Sequence, residues 1–176
     1  YSLADERWQR VYKSPTITGS HGKPIPRELG YRGMLVYQAG QSGGQELFVS
    51  TWSPAKGPGP VLLHSRDGRN FEPSCEPGLI GLPVTTIRSV TEFKGRLYTT
   101  PAGSRGGNPN LSAHSIVYER KYLDEGTWEP VNVFGFGDIG NKTIFEMAAF
   151  GGHLYVGTFN LEGFQVWRTA AEGQPP

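Results

Sequence analysis

Arg32 and Arg88 stand 56 residues apart, each two residues ahead of an apolar side chain, Met34 and Val90. A guanidinium offers its N–H donors as a planar fork that matches a carboxylate, sulfate or phosphate. Two of them at matching places in similar segments could clamp one anion. Phe145 takes the same place 57 residues after Arg88, and Glu146 follows it. The plainer use for either arginine is to bridge adjacent sheets through a carboxylate or backbone carbonyls. Glu146, Asp138 and Glu28 are the carboxylates nearest these places. A carboxyl pair about 5 Å apart would suit retaining glycoside hydrolysis, and one about 6.5–9.5 Å apart inverting hydrolysis. Pairing with Arg32 or Arg88 is the competing role.

The remaining reactive side chains are scattered. His21, His64, His114 and His153 show no H-x-H or H-x3-H spacing, and no loop alternates Asp and Asn as a calcium site does, so no metal is expected. His21 and His114 lie in long loops and are the two histidines to test as acid–base groups; His153 falls at a tight turn. Cys75, the only cysteine, reads as an inert thiol and cannot form an intramolecular disulfide. No G-x-S-x-G, phosphate-binding loop, G-x-G-x-x-G or C-x-x-C occurs, and no cofactor is implied. Trp52 and Phe159 end strands beside connecting loops, where they could stack on a sugar or aryl ring, with Asn160 next in line. Packing is the simpler account of these aromatics.

The elements that must carry these residues repeat. "FKGRLYTTP" (93–101) and "FGGHLYVGT" (150–158) superpose with an offset of 57, as do "TTIRSVTEF" (85–93) and "KTIFEMAAF" (142–150). A more divergent copy starts at "GYRGMLVYQ" (30–38) and resumes at "ELFVSTW" (46–52) after a glycine-rich loop. A third strand follows in each: 60–68, 114–120 and 163–173. A fourth opens on Trp8, Phe71 or Trp128, spaced by 63 and 57. These segments are rich in β-branched and aromatic residues and bounded by Gly, Pro, Asn and Asp, so they read as strands. No stretch of ten residues carries a helical period with a cap. The chain is expected to be all-β, four short strands in roughly 57 residues, three times over. The units are bounded at about 8–70, 71–127 and 128–176 within one segment, 1–176.

A four-stranded sheet of this size cannot bury its apolar faces alone, and radial stacking solves that. With F-x-G-x-L-Y, then G-F-x-V-W-R-T, then a D-G-x-x-F/W turn, the chain resembles the kelch-like and sialidase-like β-propellers. "SRDGRNF" (65–71) looks like a shortened Asp-box, one residue off the usual pattern, and the other two units lack its serine. The resemblance implies three four-stranded blades with innermost strands at Tyr31–Tyr37, Ile87–Phe93 and Ile144–Phe150. The strands opening on Trp8, Phe71 and Trp128 would be outermost. Propellers usually have four to eight blades. Three blades are therefore a partial ring, completed by blades of another chain or domain, or half of a six-bladed ring closed by a second copy.

The resemblance also puts the binding site at the channel mouth. The long loops 13–30 and 101–114 border it, and loops of that length are often functional. The residues expected there are Arg32, Arg88, Glu146, Trp52, Phe159 and Asn160, with His21 and His114 as catalytic candidates. The reading is a ligand-binding module for an anion or glycan. One alternative is an enzyme using the same mouth, a glycoside hydrolase, a lyase or a bacterial natural-product alkylating enzyme. Another is a protein-interaction scaffold. Two arginines of the three a sialidase would use are too few to claim that activity.

Composition narrows the partners. Seventeen basic and sixteen acidic residues leave a net charge of +1 with no run of one sign, which argues against nucleic acid. No apolar stretch reaches the roughly 18 residues of a membrane span, and no signal-peptide pattern is present. The first residue is Tyr1, as expected for a processed, excised or partial chain, and the compartment stays open.

Overall fold

The structure, a computed structural model, describes residues 8–38, 43–104, 115–120 and 127–170. It is mostly β, in a strongly curled half-barrel sheet. A hairpin, β1 (Thr16–Thr18) and β2 (Pro24–Pro26), comes first. Three antiparallel meanders follow. The first is β3 (Gly30–Gln38), β4 (Gln45–Trp52), β5 (Leu62–Ser65) and β6 (Glu72–Pro73). The second is β7 (Thr86–Phe93), β8 (Arg96–Ala102), β9 (Tyr118–Arg120) and β10 (Glu129–Pro130). The third is β11 (Thr143–Phe150), β12 (His153–Phe159) and β13 (Gln165–Arg168). Two short helical turns, Gly78–Gly81 and Phe134–Gly137, lead into β7 and β11. Among the described residues no helix is long and apolar enough to cross a membrane.

The leading strands match their sequence expectation to within a residue at each end. They stand side by side, with β7 packed between β3 and β11. The ladder pair Trp52–Thr86 joins the first meander to the second, and beside it the Ser53 N–H donates to the Thr85 carbonyl at 2.9 Å. Elsewhere hydroxyls fasten the units: Ser50 donates to the Arg88 carbonyl at 2.6 Å and Thr91 to the Met147 carbonyl at 3.2 Å. Between units one and two the core holds Phe48, Leu62, Ile87, Val90, Leu97 and Trp128. Between units two and three it holds Tyr98, Val117, Ile144, Met147, Leu154 and Val156. Alternation along each strand supplies both cores, because successive side chains leave opposite sheet faces.

The outermost strands are two-residue pieces, Glu-Pro in both β6 and β10, each preceded by its marker aromatic, Phe71 or Trp128. Proline has no N–H to offer a further strand, so it ends the sheet there.

One expectation needs correction. The segment opening on Trp8 is not a strand: residues 8–15 have no regular secondary structure and Trp8 is 89% exposed. A strand needs a ladder partner for its N–H and C=O groups, and the Phe71 segment already edges the first sheet. Tyr12 instead packs on Phe71, ring centroids 5.3 Å apart, over Val49, Val61 and Leu63. Among the described residues the third meander accordingly has three strands, not four. The long loop 13–30 contains the β1–β2 hairpin.

Candidate functional site

Each leading strand carries an irregularity near its start. Pairing skips Arg32 between Tyr31 and Gly33, Arg88 and Ser89 between Ile87 and Val90, and Phe145 between Ile144 and Glu146. A bulge leaves a residue outside the ladder and re-aims its side chain. The same position in three adjacent strands therefore presents a row: Arg32, Arg88, Phe145.

The row is held by aromatic faces. The Arg32 guanidinium carbon lies 5.0 Å from the Trp52 ring centroid and that of Arg88 lies 4.3 Å from the Phe145 centroid. Phe159 meets Phe145 edge to face at 6.0 Å. Stacking of this kind covers the flat face of a guanidinium, while its N–H donors point out in the plane. Arg32 Nε donates to Thr86 Oγ1 at 3.3 Å. Glu146 Oε1 accepts hydrogen bonds from Ser89 Oγ and, at 3.2 Å, from the Met147 N–H.

Burial pushes Arg88 down to about 10, and the like charge of Arg32 adds to that. Glu146 acts in the opposite sense. Among the described residues, the Arg32 cation and the Glu146 carboxylate therefore act on Arg88's half-buried surroundings.

Of the residues singled out from sequence, Arg32, Arg88, Glu146, Trp52 and Phe159 are brought together. Asn160 is buried at the end of β12 and belongs to a separate polar network. Its Nδ2 donates to Asp138 at 3.1 Å and to Asn141 at 3.2 Å, and its Oδ1 accepts from the Glu162 N–H. Asp138 also accepts from Gln165 and from the Gly140 N–H, and that backbone bond is the main reason its carboxyl is held low. Glu28 pairs with its neighbour Arg27 and accepts from Tyr12 and Ser14, rather than reaching Arg32 or Arg88. His21 lies exposed in the β1–β2 turn, where Nδ1 accepts from the Lys23 N–H at 3.4 Å. His114, with residues 105–114 of its loop, lies outside the described residues. His64 pairs with the buried Glu46, which also holds Arg66. Among the described residues no three His, Cys, Asp or Glu side chains gather to hold a metal ion.

Ser89 and Thr86 were not picked out from sequence, although both hold site residues. The available signal was positional: Ser89 aligns with Gly33 and Glu146, the residues next to the row. No protein-family model matches the chain, and no curated protein matches it.

Proposed function

We propose that the chain forms three blades of a kelch-like or sialidase-like β-propeller and binds an anionic ligand, such as the acid group of a glycan, at the channel mouth. One observation carries the reading: the bulge row puts Arg32 and Arg88 side by side, close enough that the Arg32 charge disfavours that of Arg88. Crowding two half-buried guanidinium groups costs free energy that a shared anion offsets. The aromatic backing of Trp52 and Phe145 holds both forks in place, so little side-chain entropy is lost when an anion is bound. Three meanders with adjacent leading strands and short outer edges support the propeller part.

The test is a calorimetric titration with sulfate and with glucuronate, glucose serving as the neutral control. Both anions are expected to bind, glucose far more weakly, and Arg88→Gln and Arg32→Gln to lose at least tenfold in affinity. Equal anion binding by wild type and both variants would overturn the proposal.

A further inference from the structure

The same aromatic pair recurs in all three units. Tyr37 and Phe48 lie 6.3 Å apart, Phe93 and Tyr98 6.2 Å, and Phe150 and Tyr155 6.3 Å. In the first two units the pair is covered by the next unit. Tyr37 and Phe48 are 9% and 0% exposed against Ile87, Val90 and Leu97, and Tyr98 is 9% exposed against Ile144, Met147 and Leu154. In the third unit Phe150 is 75% exposed. The molecule thus shows twice what covers this pair: the opposite sheet face of a following unit.

That opposite face is open along β3 at the other end of the molecule, whereas Leu47 on β4 is half-buried in the Val49–Val61–Leu63 cluster with Tyr12. Tyr31, Met34 and Leu47 are the first-unit counterparts of Ile87, Val90 and Leu97 by register and by repeat. Tyr31 is 65% and Met34 59% exposed. We infer that two copies of this chain associate head to tail, the Phe150–Tyr155 face of each seated on the exposed Tyr31–Met34 face of the other. The contact joins unlike surfaces, so it closes only if the rotation per chain is right. The sheet of one chain curls as a half-barrel, and closure calls for an equal curl from the second. The resulting closed pair has two identical interfaces, and isolated apolar sheet faces of this kind are otherwise an aggregation hazard. The inference rests on the equivalence of the units and shares with the proposed function only its ring; the anion titration is independent of it.

Light scattering on the eluting protein tests it. Wild type is expected near twice 19.3 kDa, and Phe150→Asp and Met34→Lys are each expected at the monomer mass. Mixed in equal amounts, the two variants should recover the dimer, because one interface is then native and the other brings Asp and Lys together. Both substitutions fall on exposed side chains, and an unchanged circular dichroism spectrum and cooperative melt check that folding survives. A monomeric wild type, as expected if further units of a longer chain cover these faces, overturns the inference. So do variants that stay dimeric alone, or a mixture that stays monomeric.

Discussion

The Arg88 guanidinium carbon lies 4.3 Å from the Phe145 ring centroid, and the two residues hold the same bulged position on neighbouring leading strands. The contact therefore joins two repeats through the one place where their strands depart from regular pairing. A double-mutant cycle with Arg88→Met and Phe145→Leu measures it. A coupling of about 0.5–2 kcal/mol is expected from urea unfolding, the range of partly exposed to desolvated cation–π pairs. Additive losses would show that the stacking contributes nothing.

Glu146 competes with any added anion for the field of Arg88. Glu146→Gln keeps an oxygen for Ser89 and removes the charge, so sulfate affinity should rise several-fold. A fall in affinity would instead make the Glu146 charge part of the ligand site.

The turn between β5 and β6 hangs on Asp67. Its carboxylate accepts from the Asn70 and Arg69 N–H groups, each at 2.8 Å, and from the Ser65 and Asn70 side chains. These bonds, the Asn70 N–H first, hold its carboxyl well below the ordinary range. A folded-state pKa below the unfolded one means that protonation favours unfolding, so the contribution is present above about pH 4 and is lost on further acidification. Urea midpoints from pH 5 to pH 2.5 should fall less steeply in Asp67→Asn than in wild type. Parallel profiles would remove Asp67 from the acid response.

Cys75 should be a slow nucleophile. Burial pushes its thiol up to about 11, and the Leu62 N–H donates to Sγ at 3.2 Å. Only the thiolate attacks, so alkylation at pH 8 should run at least tenfold slower in the native protein than after denaturation. Equal rates would mean that the region around β5 opens readily.

Much of the architecture was legible in the chain. The leading strands recur at offsets of 56 and 57 and the second strands at 50 and 57, the first hairpin loop being longer, and periodic alternation fixes which side chains share a sheet face. The matching positions of Arg32 and Arg88 were legible for the same reason. The fourth-strand reading at Trp8 failed because a strand is defined by its partner, and a repeated aromatic cannot supply one. Glu28 was misjudged as a partner for the paired arginines because Arg27, one residue away, was not weighed against them. Asn160 was expected at the site because it follows Phe159, yet its amide ties its own loop to Asp138 and Asn141.

What the sequence determined by itself is the repeat: strand order, turn positions, the apolar face of each sheet, and the equivalence of Arg32, Arg88 and Phe145. Only the tertiary structure decided that these three residues leave the ladder together and stand in a row. A bulge is one residue too many relative to a partner strand, so it exists only once two strands are paired. The same holds for the exposure of Phe150. Its type repeats that of Phe93, and only the arrangement of the units decides that one aromatic is packed between sheets while the other faces outward.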